Sequence, residues 1–129
     1  MSIDLGIGSR LPAFCTSMGR VMLAALPRAE LDEYLKRLRP VPYTERTLVS
    51  KERLAEAIAK VREAGVALVD QELEIGLRSV AVGVPGGDGR AAAAINISVQ
   101  AGRVPVAEME KRFVPALRDA AAELSLLVR

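Results

Sequence analysis

The feature that most constrains the fold of this 129-residue chain is a glycine-rich turn between two apolar segments. The turn is Pro85-Gly86-Gly87-Asp88-Gly89, and it separates residues 77–84 from residues 91–99. Glycine and aspartate readily take the backbone conformations that a tight hairpin turn needs. Both flanking segments are rich in Val, Ile and Ala, so we predict two antiparallel strands joined by this turn.

The residues of this hairpin separate into two faces. If Gly87 and Asp88 form a two-residue turn, Ser79 faces Asn96 and Leu77 faces Ser98. One face is then made of small and polar residues, whereas the other is made of Val and Ile and belongs to a core. Small side chains leave room above a sheet, and Ser and Asn could bind a small polar ligand there. A solvent-exposed sheet face explains the same pattern, and a three-residue turn would shift the register.

The remaining elements are predicted from periodicity and capping residues. Alternation of apolar residues predicts further strands over residues 2–8 and 66–73. Helical spacing, with Ser50 and Gly65 as caps of one helix, predicts helices over about 17–26, after Pro27, over 51–64 and from Pro105 towards Leu127. Pro115 should interrupt the last helix. The order predicts an α+β fold, an antiparallel sheet with flanking helices, in which the unpartnered first strand suggests that the domain begins before Met1.

Composition excludes several classes of site. The chain has no histidine and a single cysteine, Cys15, so imidazole-dependent catalysis, an internal disulfide and a cysteine-cluster metal site are all excluded. Cys15 is expected to be a buried, inert thiol. The net charge is +2 and the basic residues are scattered, which does not favour a nucleic-acid groove. We expect no enzyme activity, no metal and no cofactor, and a cytoplasmic protein without a membrane span.

Two further features could bind or react with a ligand. Free N–H groups where a helix begins, near Thr16, attract a carboxylate, and Gly19 permits close backbone approach, although an ordinary capped helix has the same sequence. Asp70, Glu72 and Glu74 alternate at a predicted strand end. Paired carboxylates can act as acid and base, but a solvated strand edge is the commoner explanation of such alternation.

Three stretches of the sequence are similar to a known family. They are Arg10-Leu11-Pro12-Ala13, Thr16-Ser17-Met18-Gly19-Arg20-Val21 and Val69-Asp70-Gln71-Glu72-Leu73-Glu74-Ile75-Gly76-Leu77-Arg78-Ser79. Together they resemble the effector-binding domain of IclR-type bacterial transcription regulators. The third stretch looks most like the branch that controls aromatic-compound catabolism, namely the regulators of the protocatechuate and β-ketoadipate pathway and of 4-hydroxybenzoate use.

The resemblance implies a GAF- or profilin-like domain that binds a small carboxylate and forms a homodimer or tetramer. It also implies further strands before residue 1 and an N-terminal winged helix-turn-helix, through which alone operator DNA would be bound. The family's pocket positions, carried over one by one, give effector-binding residues Ser17, Met18, Gly19, Leu77, Ser79, Asn96 and Ser98. Asp70 is a further candidate, because it lies beside the family's acidic position, and whether it faces the pocket is left open. Glyoxylate-binding relatives have an acidic residue at the position of Val69 and differ at Met18 and Asn96, which favours a larger acid here.

We therefore expect the ligand-sensing domain of a regulator of aromatic-compound catabolism, with an aromatic acid or a ring-cleavage dicarboxylate as effector. Two alternatives come from other classes. One is an enzyme that uses Asp70 or Glu72 as a base on a small acid, which turnover of the ligand would reveal. The other is an oligomerisation module without a ligand, whose pocket would be filled by its own side chains.

Overall fold

The computed structural model describes residues 6–128. Its helices and strands are α1 (Ser17–Ala24), α2 (Arg28–Arg37), α3 (Lys51–Ala64), β1 (Val66–Asp70), β2 (Leu77–Pro85), β3 (Ala91–Gln100), α4 (Val106–Glu108) and α5 (Val114–Ser125). Over this range the strands form one antiparallel sheet in the order β1-β2-β3. The predicted α+β class is confirmed.

Both predicted caps of α3 are confirmed, and Thr16 caps the start of α1. Thr16 Oγ1 accepts from the Gly19 N–H at the start of α1, and Ser50 Oγ accepts from the Arg53 N–H at the start of α3. Gly65 ends α3 with a φ of +74°, which glycine adopts without steric cost. These helix ends are determined by residues next to them in the sequence, which explains why they could be predicted.

Two predicted strands differ from the structure. In the predicted strand over residues 2–8, positions 3 and 5 lie outside the described residues, whereas Ile7 and Gly8 form a turn and Ile7 is fully exposed. The strand predicted over residues 66–73 ends at Asp70. Gln71 takes a φ of +62° and turns the chain, and its N–H donates to the Leu77 carbonyl at 2.9 Å.

The hairpin forms at the predicted turn, but its loop is one residue longer than the two-residue turn. The Gly86 N–H donates to the Arg90 carbonyl at 2.7 Å and leaves residues 87–89 as the loop. Gly89 has a φ of +83°, the left-handed conformation that closes three-residue loops. A β-bulge at the base of the hairpin then adds a second irregularity.

These two irregularities together shift the strand pairing by two residues. Ser79 lies opposite Ser98, and Asn96 lies opposite Ala81. The predicted pairing of Ser79 with Asn96, and of Leu77 with Ser98, is therefore wrong. Because side chains alternate between faces with a period of two, an even shift leaves these residues on the faces that were predicted.

One face of the sheet packs against the C-terminal helices and is apolar. A π-helical turn, Met109–Phe113, joins α4 to α5 just before Pro115, so the predicted interruption of the helix is confirmed. The buried residues of this layer are Val80, Val82, Val84, Met109, Leu117 and Ala121. Leu124, towards the end of α5, lies outside this layer and is 38% exposed.

The other face of the sheet lies under α1. The C-terminal half of α1 packs with α3 on the small residues Ala67 and Ala81, and its buried contacts include Val21 and Ile58. Such small side chains let the helix lie close to the strands. The N-terminal half of α1 lies instead over the polar part of the same face, and this is where a cavity forms.

Candidate ligand-binding site

A cavity of about 710 Å³ lies between the start of α1, the loop of residues 71–76 and the polar face of β2 and β3. This volume is within the range of small-molecule sites in proteins. Six of the eight residues predicted to bind the effector line it: Ser17, Met18, Leu77, Ser79, Asn96 and Ser98. Residues far apart in the sequence are thus brought together around one space.

The polar groups of this cavity connect the helix to the sheet. Ser79 Oγ donates to Ser17 Oγ at 2.8 Å, and both residues are buried. Asn96 Nδ2 donates to Ser98 Oγ at 3.1 Å along β3. A hydroxyl can donate once and accept twice, and an amide can make up to four hydrogen bonds. These side chains therefore retain capacity for hydrogen bonds to a bound molecule.

The start of α1 supplies unpaired backbone donors to the same cavity. The Gly19 N–H is taken by Thr16 Oγ1 and the Arg20 N–H by the Thr16 carbonyl. Over residues 6–128, the N–H groups of Ser17 and Met18 make no hydrogen bond. Free N–H groups and the positive end of the helix dipole together favour an anion at this position.

The structure places Gly19 outside the cavity lining. A Cβ atom at Gly19 would lie 2.3 Å from the Ala13 carbonyl oxygen and 2.5 Å from Thr16 Oγ1. The glycine therefore allows α1 to approach its own preceding loop, rather than allowing a ligand to approach the backbone. Gly19 therefore contributes to the cavity indirectly, because this close approach sets the position of the start of α1.

Asp70 also lies away from the cavity lining. Its carboxylate accepts from Arg78 Nε and Arg46 Nη2, both at 2.9 Å. Partial burial raises the pKa of Asp70, but hydrogen bonds from Arg78 and Gln71 and the charges of Arg78 and Arg46 outweigh that effect. The pKa of Asp70 is therefore below its ordinary value. A carboxylate held ionised by two arginines is poorly suited to act as a base.

Glu72 is buried, which differs from the solvated edge expected for the acidic residues. Arg20 Nη2 donates to Glu72 Oε1 at 2.6 Å, and Arg20 Nε donates to the Phe14 carbonyl. The Leu48 N–H also donates to Glu72 Oε1, at 2.9 Å. This network ties α1 to the loops on either side of the cavity, so Glu72 stabilises the walls and does not line the space.

Sequence patterns missed several residues that line the cavity. Leu73 was assigned to a strand that ends earlier, Glu74 was placed at the end of that strand, and Arg103 lies in the turn after β3. Val69 also lines the cavity, and it lies opposite Ser79 in the sheet. Only the position of Val69 could have been found from the sequence, because it lies on the same face of β1 as the small residue Ala67.

Cys15 is fully buried beside this cavity, as predicted for an inert thiol. Burial, together with the negative charge of Glu72, raises the pKa of Cys15 to about 11. At neutral pH the side chain is therefore a thiol and not the reactive thiolate.

A second cavity, of about 520 Å³, lies between the end of α1, the end of α3 and the hairpin loop. Arg62 lines it, but this side chain donates to the carbonyls of Ala24 and Leu26 and so caps the end of α1. Across residues 6–128, no three acidic or cysteine side chains come close enough to hold a metal ion. None of the helices in that range is long and apolar enough to cross a membrane.

Comparison with known proteins identifies the family to which this arrangement belongs. The model of the bacterial transcriptional regulator IclR C-terminal family matches residues 1–126. The chain is a member of the IclR C-terminal family. The resemblance seen in the sequence is thereby confirmed, and the relatives of this IclR C-terminal domain are transcription regulators, not enzymes.

Individual relatives place the domain more finely within the IclR family. The Pca regulon regulatory protein of Pseudomonas putida is 48% identical over 124 residues, which are 96% of this chain and 43% of that protein. A crystal structure of a transcriptional regulator from Rhodococcus sp. RHA1 superimposes with a TM-score of 0.94 at 44% identity, covering 98% of this chain and 51% of the other. This chain therefore spans about half the length of these relatives.

A third relative was solved with a small acid. The inducer-binding domain of a PobR double mutant from Acinetobacter, in complex with 3-hydroxybenzoic acid, superimposes with a TM-score of 0.89 at 32% identity. The match covers 95% of this chain and 70% of that one.

Proposed function

We propose that this chain is the effector-sensing domain of a bacterial transcription regulator of aromatic-acid catabolism, and that it binds a small aromatic carboxylate. The observation that supports this most is the cavity of about 710 Å³, which joins an open helix start to a polar sheet face. Helix starts bind anions, and an apolar floor with a few polar groups is typical of a site for a small organic molecule.

In the proposed arrangement, the carboxylate of the effector accepts hydrogen bonds from the N–H groups of Ser17 and Met18. The ring lies over Val69 and Leu77, both of which line the cavity. Ser79 and Asn96 then bond the polar substituents or the second carboxylate oxygen. The similarity to an inducer-binding domain solved with 3-hydroxybenzoic acid supports an effector of this class.

The rest of the regulator is proposed from the family. Because the chain spans 43% of the Pca regulon regulatory protein, a winged helix-turn-helix N-terminal to this domain would bind operator DNA. The present domain would form a homodimer or tetramer in the cytoplasm and so fix the spacing of the DNA-binding units. Sequence-specific retardation of operator DNA by residues 1–129 alone would contradict this division of labour.

Neither alternative from the sequence is supported by the site. Asp70 and Glu72, the candidate bases, are both held in ion pairs with arginines. A domain that had lost its ligand would fill its pocket with its own side chains, whereas here about 710 Å³ is open.

The test is a thermal-shift screen with protocatechuate, 4-hydroxybenzoate, β-ketoadipate and glyoxylate. A ligand present at a hundred times its Kd stabilises the native state by about 2.7 kcal/mol. For a domain of this size that corresponds to a rise in Tm of roughly 10 °C. Benzyl alcohol, which has the ring without the carboxylate, is the control and should leave Tm unchanged. Unchanged Tm with all four acids would contradict the proposed function.

A further inference from the structure

We propose that Glu74 is a specificity-determining residue of this cavity. Its carboxylate selects an acid that also has a hydroxyl donor, and it discriminates against a dicarboxylate. This inference rests on the proposed function, because it concerns which acid the same cavity accepts. It separates two effector classes that the sequence left open, the hydroxylated aromatic acid and the ring-cleavage dicarboxylate.

Glu74 differs from the neighbouring acidic residues in having no partner. Asp70 and Glu72 are each paired with arginine, whereas Glu74 forms no ion pair within the described chain. Its Oε1 atom has less than 1 Å² of exposed surface, and it is the one buried side-chain polar atom of residues 6–128 without a hydrogen bond. Buried polar atoms in folded proteins almost always have a partner. Glu74 also lines the cavity, so a rotation of its carboxylate would bring this oxygen to a ligand, which would then supply the missing partner.

The loop around Glu74 is held in place without the help of its side chain. The Leu77 N–H donates to the Glu74 carbonyl at 3.1 Å, and the Gly76 N–H donates to Gln71 Oε1 at 3.0 Å. The Ala101 N–H donates to the Gly76 carbonyl at 2.8 Å and fastens the same loop to the end of β3. The carboxylate is thus presented by a fixed turn, so its side chain is free to act on the ligand.

Glu74 and the start of α1 lie at different parts of the cavity wall. Ser79, which bonds to Ser17 beneath the helix start, is separated from Leu77 by two residues of strand, or about 7 Å. The turn that contains Glu74 continues from Leu77 away from Ser79. One part of the wall therefore offers donors to a carboxylate, and another part offers only an acceptor.

The chemistry of a carboxylate determines what can occupy the second part. An ionised carboxylate accepts hydrogen bonds and cannot donate them, so a ligand hydroxyl is its natural partner. A second carboxylate on the ligand would instead meet a like charge in a partly enclosed space, which is unfavourable. Arg103 also lines the cavity, but its side chain is exposed and lies outside ion-pair distance of Glu74. It therefore leaves the charge of Glu74 uncompensated.

The experiment is calorimetric titration of the 129-residue chain with 3-hydroxybenzoate, 4-hydroxybenzoate, benzoate and adipate. We expect the better of the two hydroxybenzoates to bind the unmodified chain roughly tenfold to a hundredfold more tightly than benzoate. In Glu74→Leu this preference should fall to near one, with benzoate bound as well as before. In Glu74→Gln, which keeps the shape and removes the charge, adipate should bind roughly tenfold more tightly. Glu63→Gln, at an exposed position of α3, is the matched control and should change neither ratio.

The possible failures are distinguishable. If the unmodified chain binds none of the aromatic acids, the proposed function is overturned, and the role of Glu74 with it. If it binds hydroxybenzoates and benzoate with a ratio that Glu74→Leu leaves unchanged, only the role of Glu74 is overturned. Circular dichroism of both Glu74 variants establishes whether the fold is intact, and little change in thermal melting is expected because, within residues 6–128, Glu74 forms no ion pair and its Oε1 forms no hydrogen bond.

Discussion

The two faces of the sheet use the same strands but are stabilised in different ways. On the face that packs against α5, Val80, Val82 and Val84 meet Met109 and other apolar side chains, and the layer is closed. On the face beneath α1, packing is tight only at the C-terminal half of the helix. Beneath its N-terminal half the face is polar and open, over about 710 Å³.

The open face depends on a polar framework at its edge. Arg20 and Glu72 form a buried ion pair at 2.6 Å, and this pair also bonds the loops that contain Phe14 and Leu48. Apolar side chains packed at this position would fill the cavity, whereas these hydrogen bonds fix the walls of the cavity and leave its interior open. The face beneath α1 thus combines apolar packing at one half of the helix with space for a ligand at the other half, whereas the face that packs against α5 is apolar.

The largest expected effect is on the framework of the open face. Glu72→Leu leaves Arg20, a residue that is only 4% exposed, without its counter-charge. Removing one partner of a buried pair typically lowers the free energy of unfolding by about 3–5 kcal/mol. Urea unfolding measures the loss, and Glu33→Leu, which breaks the exposed Glu33–Arg37 pair, is the control, expected to cost less than about 1 kcal/mol. Equal losses in the two variants would show that the framework is not what stabilises the walls.

Next in size is a truncation on the closed face. Met109→Ala removes a fully buried side chain and should lower the free energy of unfolding by about 2–5 kcal/mol. The affinity for 4-hydroxybenzoate should not change, because Met109 lies on the far side of the sheet from the cavity. Leu127→Ala, at a side chain that is 80% exposed, is the control for stability. A weakened affinity in the folded Met109 variant would mean that the two faces are not independent.

A smaller effect is expected for the polar residues of the open face. Ser79→Ala and Asn96→Ala each leave a ligand group without its partner, so affinity for 4-hydroxybenzoate should fall by about 1–3 kcal/mol, or roughly tenfold to a hundredfold. Stability should change little in Asn96→Ala, whereas Ser79→Ala also removes the hydrogen bond to the buried Ser17 Oγ and should lower the free energy of unfolding by about 1 kcal/mol. Ser125→Ala, at the end of α5, is the matched control. Undiminished affinity in both variants would place the ligand elsewhere.

The smallest effect concerns the pH dependence of Asp70. Its pKa is lower in the folded chain than in the unfolded chain, so its ion pairs stabilise the fold above the unfolded pKa of about 3.9. That contribution is lost as pH falls through the folded pKa. Asp70→Asn should therefore lower the free energy of unfolding by only about 1 kcal/mol at pH 7, because Arg78 still donates hydrogen bonds to the carbonyls of Ala101 and Val104. Urea unfolding should show that the difference in free energy of unfolding between the unmodified chain and Asp70→Asn is smaller at pH 3 than at pH 7. A difference that grows in acid would contradict the lowered pKa of Asp70.

The parts of the fold that could be predicted from sequence are those fixed by local residues. Thr16, Ser50 and Gly65 define helix ends through their own hydrogen bonds or φ values, and the glycine-rich turn defines the hairpin. The pairing register of β2 and β3 could not be predicted, because it depends on a β-bulge that no residue of the turn indicates. Because the register is shifted by two residues, Ser79, Asn96 and Ser98 still lie on the face that was predicted for them.

The site was predictable to a similar extent. Ser79 and Asn96 follow from the pattern of the hairpin, whereas Ser17 and Met18 came from the family resemblance together with the capped helix start. The distinct environments of Asp70, Glu72 and Glu74 could not be predicted, because they depend on a turn at Gln71 that ends β1 early. Three acidic residues with the same sequence spacing thus acquire a partly buried pair, a buried pair and an unpaired oxygen at the cavity.

The central claim is that the open polar face, and not the second cavity, binds the aromatic acid. The most direct measurement is an NMR titration of the ¹⁵N-labelled chain with 4-hydroxybenzoate, following backbone amide shifts. The amides of Ser17 and Met18 should show the largest changes and saturate together, while those of Gly83 and Ala91, which line the second cavity, should stay in place. Saturating changes at Gly83 and Ala91, with Ser17 and Met18 unmoved, would contradict the claim.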